Sequence, residues 1–392
     1  MLNFEYFTPT KIVFGKNTEE RVGELIKEQN CKKVLVHYGS GSVIRTGLLN
    51  RIYRSLDESG IDYVSLGGVV PNPRLSKVYE GIDFARKEGI DFILAVGGGS
   101  VIDSAKAIGY GVYNEGDVWD FHIKKRKAKG CLPVGAVLTI AAAGSEMSNS
   151  CVITNEEKGI KCGHSSNYGR LKFAIMNPEL TYTLPDYQTQ SGCVDILMHT
   201  MERYFTASST MQLTDSISEA LMRTVLKNSK ILKNDPTNYD ARAEIMWAGS
   251  LSHNGMTGCG NDGGDWACHQ LEHELGAMYD VAHGAGLSAV WGTWARYVYK
   301  SCPERFARFA EYVMELPHDD DMDRLSLAGI QAMEDYYRSV DMPTSLTELG
   351  ISPSEDEIQK LAYGCSRQNT RTIGIVQKLN LEDMAEIYRK AL

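Results

Sequence analysis

Three times within residues 33–106 a short apolar run passes through a turn of small residues into an amphipathic stretch. The first is Lys33-Val-Leu-Val-His-Tyr38, followed by Gly39-Ser40-Gly41-Ser42 and by Leu48, Leu49, Ile52 and Leu56 at helical spacing. The second, Ile61-Asp-Tyr-Val-Ser-Leu66, ends in Gly67-Gly68 and the turn Pro71-Asn72-Pro73, ahead of a helix expected over about residues 75–88. The third, Asp91-Phe-Ile-Leu-Ala-Val96, runs straight into Gly97-Gly98-Gly99-Ser100 and a helix carrying Asp103 and Lys106. Parallel strands can follow one another only through a crossover, usually a helix, so this order demands a mostly parallel sheet. It is the opening of a Rossmann-like, doubly wound α/β domain.

The third junction carries the first functional signal. Glycines after a buried strand let backbone N–H groups approach an anion closely, and the helix that begins near Ser100 adds its positive end, so a pyrophosphate is the expected guest. The first junction bears on the choice of nucleotide. Sites for NAD commonly carry an acidic side chain there for the ribose 2′-hydroxyl. Here Gly39, Ser40 and Ser42 supply no carboxylate and several hydrogen-bond donors, which favours NADP(H) with NAD(H) as the lesser option. Residues 132–140 read as a further strand that ends about Thr139. A hairpin over about residues 151–163 holds Lys161 on its far side, and residues 174–178 are expected to close the sheet. Pro185 marks a boundary, giving domains 1–185 and 186–392.

Beyond Pro185 strand signals nearly vanish and long helical patterns follow, at about residues 186–206, 211–233, 239–254 and 266–278. The last of these holds His269 and His273 four residues apart, hence one turn apart on one helix face. His283 follows, flanked by Gly284 and Gly286, where a loop or helix start could bend it back to the same point. Asp195 and His199 repeat the i, i+4 spacing upstream. Imidazoles and a carboxylate drawn from two helices are the donor set for a divalent zinc or iron centre with one position left open. Buried in otherwise apolar sequence, they need partners, and a shared cation supplies one. His37, His122, His164, His253 and His318 have no comparable partner in spacing, and Cys268 points to another helix face from His269, as a packing residue.

Composition narrows the function. A formal net charge of −9 argues against nucleic acid or an anionic membrane surface as partner. Nine scattered cysteines without a Cys-x-x-Cys pair argue against a disulfide framework and for a reducing cytoplasm. The Lys/Arg run at residues 124–129 reads as a solvated loop, and no run of apolar residues reaches the roughly 18 that a membrane helix needs.

With these features in place the chain resembles the iron-containing (group III) alcohol dehydrogenase family, in particular its butanol dehydrogenase branch. The resemblance spans nearly the whole chain: Phe7-Thr-Pro-Thr-Lys-Ile-Val-Phe-Gly15, Pro71-Asn72-Pro73, Gly97-Gly98-Gly99-Ser100-Val-Ile-Asp103 with Lys106, Gly144-Ser145-Glu146, Asn177-Pro178-Glu179-Leu180, and the Asp195/His199 and His269/His273/His283 clusters. It implies a Rossmann-like nucleotide-binding domain followed by an all-α, dehydroquinate synthase-like metal-binding domain. It implies Asp195, His199, His269 and His283 as ligands of one Fe2+ or Zn2+, with His273 close to the metal but outside the ligand set. Cofactor contacts are implied at Asn72, Gly98, Gly99, Ser100, Asp103, Thr139 and Lys161. Gly39 stands where NAD-preferring relatives carry Asp, which resembles the NADPH-using branch, and Ala143 stands where relatives usually carry Thr. A homodimer is implied, with residues 11–14 as an edge-strand contact.

The expected reaction is hydride transfer between NADP(H) and a small primary alcohol or aldehyde, such as butanol and butanal, with His273 relaying the alcohol proton. A polyol or sugar-phosphate dehydrogenase of the same fold is the alternative. More remote is a zinc hydrolase, because His269-Gln-Leu-Glu272-His273 also fits the His-x-x-Glu-His protease pattern.

Overall fold

The structure, a computed structural model, describes residues 1–207 and 211–392. Two compact units form: Thr8–Leu184, and Pro185–Leu392 together with Met1–Phe7. The first seven residues leave the α/β unit because their backbone pairs with the helical one, where Leu2 N–H donates to the Gly260 carbonyl at 2.8 Å.

The α/β unit has eight strands: β1 (Lys11–Phe14), β2 (Lys33–Gly39), β3 (Asp62–Val69), β4 (Phe92–Gly97), β5 (Val134–Leu138), β6 (Ser150–Asn155), β7 (Ile160–Ser165) and β8 (Phe173–Met176). Six of them build a sheet in the order β1-β8-β5-β4-β2-β3, every pair parallel. β4 and β5 are buried along their whole length, as expected of central parallel strands covered on both faces. Phe92 of β4 and Phe173 of β8 stack over the intervening β5, their ring centroids 5.8 Å apart, and fix that part of the core. β8 does not close the sheet, contrary to the expectation for residues 174–178. It lies between β5 and β1, and β1 forms the edge. A strand run reveals its apolar faces but not its neighbours, which the crossovers decide.

The chain leaves β2 for β3 on one side and then returns to place β4 on the other. The carboxyl ends of β2 and β4 therefore flank the point where strand order reverses, the place where open α/β sheets take their ligands. Tyr38 pairs with Val96 there, which sets Gly39 beside the glycine corner. The helix Leu75–Glu88 coincides with its expected span, and Gly99–Tyr113 springs directly from β4.

β6 and β7 form a separate antiparallel hairpin with Lys161 opposite Thr154. Thr154 N–H donates to the Pro73 carbonyl at 2.8 Å, and Val152 N–H donates to Asp103 Oδ2 at 2.8 Å, so the hairpin is tied to both the Pro71–Pro73 turn and the Gly99–Tyr113 helix. Lys106, two turns into that helix, is fully buried, and its ammonium donates to the carbonyls of Ser145 (2.7 Å), Ser148 (3.0 Å) and Ser150 (2.8 Å). Burial pushes the Lys106 pKa down, opposed mainly by the nearby Asp103 charge. Lys106 thus pins the Gly144–Ser150 loop with charge-assisted bonds that an apolar side chain cannot supply.

The helical unit contains Asp186–Tyr204, Gln212–Asn234, Tyr239–His253, Ala267–Tyr279, His283–Val298, Pro303–Tyr312, Met322–Ser339, Glu355–Cys365 and Leu381–Lys390. Its centre is aromatic: Phe205 stacks on Phe306 at 4.3 Å and lies against Trp294 and Phe309. Among the described residues no helix is long and apolar enough to cross a membrane. Residues 124–129 are mostly exposed, as a solvated basic loop should be, with Arg126 holding the carbonyls of Glu115 and Asp117.

Replacing Lys106 with Met is expected to leave three carbonyls without their donor and to lower the unfolding free energy by at least about 3 kcal/mol. Urea unfolding of the two proteins measures the difference, and equal midpoints would contradict the pinning role.

Candidate metal centre and nucleotide-binding corner

Asp195 and His199 lie one turn apart in the middle of the Asp186–Tyr204 helix, and every residue from Thr189 to Glu202 in it is buried. His269 stands in the first turn of Ala267–Tyr279, and His283 is the first residue of the next helix, His283–Val298. Three helices thus deliver the four side chains. His283 stands at a helix start, one of the two placements expected, and the glycines beside it serve close packing. A Cβ on Gly284 would lie 1.9 Å from the Ser191 carbonyl oxygen, so only glycine lets this helix approach the one bearing Asp195. A Cβ on Gly286 would lie 2.9 Å from Glu272 Cγ, so glycine here also leaves room for that side chain.

The donor atoms converge. Asp195, His199 and His269 each offer one donor atom, these atoms all lie within 4.8 Å of one another, and all three residues are buried. Asp195 Oδ1 is 3.3 Å from His199 Nδ1, 3.8 Å from His269 Nε2 and 3.7 Å from His283 Nε2. Donors at about 2.1 Å around one tetrahedral cation would stand about 3.4 Å apart. Asp195 Oδ1, His199 Nδ1 and His269 Nε2 have no hydrogen-bond partner although buried. Such atoms are costly to bury unpaired, and a divalent ion at their centre would satisfy all of them together. The residues present therefore fit the implied metal.

Electrostatics agree with that fit. Burial alone would lower the His269 pKa, yet the carboxylates of Asp195 and Glu202 outweigh it and raise it to about 9. His199 is held well below its ordinary value by burial first and then by the neighbouring imidazoles of His253 and His269. The cluster favours one positive charge, and the imidazoles compete for it.

Two carboxylates escaped the sequence reading of the metal set. Glu202 Oε1 accepts from both the ring Nδ1 of His269 (3.0 Å) and its backbone N–H (2.9 Å). Glu272 Oε2 is hydrogen-bonded to His283 Nδ1. Their spacing was a usable signal, since Glu202 follows His199 by three residues and Glu272 follows His269 by three. Fully buried and engaged with an imidazole, Glu272 is not set up as the general base that a zinc protease pattern would require. His253, for which sequence spacing offered no partner, packs edge-on against His199 with ring centroids 4.0 Å apart. Only the tertiary fold joins two residues so far apart in sequence. His273 is half-buried, its ring 6.0 Å from that of His283, and neither it nor His283 is among the three residues that converge within 4.8 Å; His283 approaches through Asp195, at 3.7 Å. His37 and His122 are core histidines bonded to backbone carbonyls, His164 packs against Tyr110, and His318 pairs with Glu311 at the surface. Cys268 is buried, and burial raises its thiol pKa well above the usual range, as befits packing.

In the α/β unit the glycine corner is packed to the limit. A Cβ on Gly98 would lie 2.0 Å from Ile140 Cγ2, and one on Gly99 would lie 3.0 Å from Ala143 Cβ. The Gly99–Tyr113 helix starts without a side-chain cap, so its first N–H groups can serve an anion. Gly98, Gly99 and Ser100 thus stand at the carboxyl end of β4, beside Gly39, Ser40 and Ser42 after β2. Thr139 follows β5 directly and its N–H donates to the Gly97 carbonyl at 3.1 Å. Asn72, buried with φ 51°, and Lys161, also buried, lie to either side of the Pro73–Thr154 bond. Asp103 faces the hairpin, accepting from Val152 N–H.

Because an added methyl at residue 284 would meet backbone, Gly284→Ala is expected to push His283 away from Asp195. A loss of about 1–3 kcal/mol in stability should result, together with bound metal well below one ion per chain. Thermal melting and elemental analysis test this, and a full metal complement would contradict it.

Comparison with known proteins gives the same reading. The family model described as iron-containing alcohol dehydrogenase matches residues 9–178, and that of the family's C-terminal region matches residues 189–392. NADH-dependent butanol dehydrogenase A of Clostridium acetobutylicum is 38% identical over 392 residues, 100% of both chains. The NADPH-dependent aldehyde reductase YqhD of Escherichia coli is 32% identical over 100% of both. A crystal structure of NADH-dependent butanol dehydrogenase A from Thermotoga maritima superimposes with a TM-score of 0.96 at 40% identity, covering 100% of this chain and 99% of that one. With both halves matched, the chain belongs to the iron-containing alcohol dehydrogenase family.

Proposed function

We propose that this protein is a metal-dependent alcohol dehydrogenase and aldehyde reductase that passes hydride reversibly between NADP(H) and a small primary alcohol or aldehyde such as butanol and butanal. The observation that supports the reading is the convergence of Asp195, His199 and His269 on one buried point, with His283 Nε2 3.7 Å from Asp195 Oδ1 at its more exposed side. These four would hold a single Fe2+ or Zn2+. When bound, the cation supplies Lewis acidity to the substrate oxygen while the nicotinamide carries the hydride.

The protein's own side chains do the remaining work. Alcohol oxidation yields aldehyde, reduced nucleotide and one proton, and that proton needs an exit. His273 takes the role of carrying it between the substrate hydroxyl and water, a role supported by its half-buried position with its ring 6.0 Å from that of His283. Gly98, Gly99 and Ser100 bind the pyrophosphate with backbone N–H groups at the start of the Gly99–Tyr113 helix. Asn72, Asp103, Thr139 and Lys161 complete the cofactor site, with Asp103 acting through its bond to the hairpin.

Preference for NADP(H) rests on the turn after β2. Gly39 offers no carboxylate to repel a 2′-phosphate, Ser40 and Ser42 are exposed hydroxyl donors, and the Arg45 guanidinium lies 2.8 Å from where a Cβ on Gly41 would be. A homodimer joined along β1, at the sheet edge with Phe14 exposed, and a cytoplasmic location in keeping with free thiols complete the reading.

Steady-state assays of the metal-loaded enzyme with NADPH and NADH against aldehydes of increasing chain length test the proposal. Reduction of butanal with kcat/KM at least about tenfold higher for NADPH is expected, a difference of about 1.4 kcal/mol. No turnover with any aldehyde would remove the activity, and preference for NADH would remove the nucleotide assignment. His273→Ala should keep its metal and lose about 10²–10⁴-fold in turnover. Wild-type rates across the pH range would refute the relay.

A further inference from the structure

Each of the first two helices of the metal centre contributes a ligand and, three residues later, a glutamate: His199 and Glu202 on Asp186–Tyr204, His269 and Glu272 on Ala267–Tyr279. Neither glutamate serves the histidine of its own helix. Glu202 reaches to the second helix, where its Oε1 accepts from the ring Nδ1 of His269 at 3.0 Å and from the His269 backbone N–H at 2.9 Å. Glu272 reaches to the third helix, where its Oε2 engages the ring Nδ1 of His283. Both side chains are buried, at 1% and 0% exposure, so neither charge is there for solubility. A buried carboxylate persists only where a specific partner holds it.

We infer that Glu202 and Glu272 are positioning residues for the metal: each holds the proton of its imidazole on Nδ1 and so aims an unprotonated Nε2 at the point that Asp195 Oδ1 faces. The inference rests on the ligand assignment proposed above. An imidazole has two tautomers, and only the one with Nε2 free can donate from that atom. In both rings Nδ1 is the atom bonded to glutamate and Nε2 is the atom near Asp195, 3.8 Å away for His269 and 3.7 Å for His283. The carboxylates also make the imidazoles more basic and therefore stronger donors. The bonds chain the helices together, since each glutamate fixes the histidine of the next helix. Gly286 is part of the same device, because a Cβ there would lie 2.9 Å from Glu272 Cγ and displace it.

The test is made on the full chain after its metal has been removed, with Zn2+ as the probe in competition with a chromogenic chelator. Glu272→Gln should bind Zn2+ about 10–100-fold more weakly than wild type, while the melting temperature of the metal-free protein stays unchanged. In the Co2+-loaded protein its visible d–d bands should shift, because the electron donation of a coordinating imidazole has changed. Glu202→Gln should show the same loss of affinity. If that variant fails to fold, because Glu202 also holds a backbone N–H, Glu272→Gln decides alone. Affinity within about twofold of wild type, with superimposable Co2+ bands, overturns the inference. His199→Ala separates this outcome from failure of the ligand assignment: if it too binds Zn2+ like wild type, the assignment itself is wrong.

Discussion

The helical half of this protein depends on bringing one carboxylate and several imidazoles together away from water. Asp195, His199 and His269 are all at most 5% exposed, and the donor atoms that face one another lack hydrogen-bond partners. Left alone, such a cluster would cost several kcal/mol per group. Its persistence makes sense when a cation is counted as part of the fold, so that metal binding and tertiary stability are linked. The surrounding sequence serves that arrangement: glycine at 284 lets two helices meet, glycine at 286 makes room for a glutamate, and Glu202 and Glu272 hydrogen-bond the rings of His269 and His283.

The α/β half solves a different problem with the backbone. A dinucleotide is an extended anion, and the reversal of strand order between β2 and β4 leaves a place where two strand ends and one helix start come together. Side chains there are small because Ile140 and Ala143 already occupy the space beside Gly98 and Gly99. Lys106 is buried beneath the Gly144–Ser150 loop and holds its carbonyls. Its charge acts on the loop.

Much of this was legible in the sequence, and the limits are physical. Strands followed by glycine turns announced the parallel sheet because each strand can be recognised from its own apolar run. The position of β8 inside the sheet could not be read, since pairing is decided by crossovers, whereas β1 at the edge was implied by the family resemblance. The i, i+4 spacing of Asp195/His199 and His269/His273 pointed to the helix faces on which Asp195, His199 and His269 come together. Spacing could not choose between His269 and His273, and the resemblance to a known family made that choice. The structure shows what distinguishes them: His269 is buried, receives Glu202 and faces Asp195, whereas His273 is half-buried with its ring near that of His283. His253 was invisible because its proximity to His199 exists only in three dimensions. Glu202 and Glu272 were readable only by asking, for each candidate ligand, what would hold its other ring nitrogen.

The central claim is that four side chains hold one divalent cation. Anomalous diffraction from crystals of the metal-loaded protein, recorded on either side of the iron and zinc absorption edges, tests it most directly. The account predicts a single peak per chain enclosed by Asp195, His199, His269 and His283. A peak bound by His269 and His273 without Asp195, or metal located elsewhere in the chain, would contradict it.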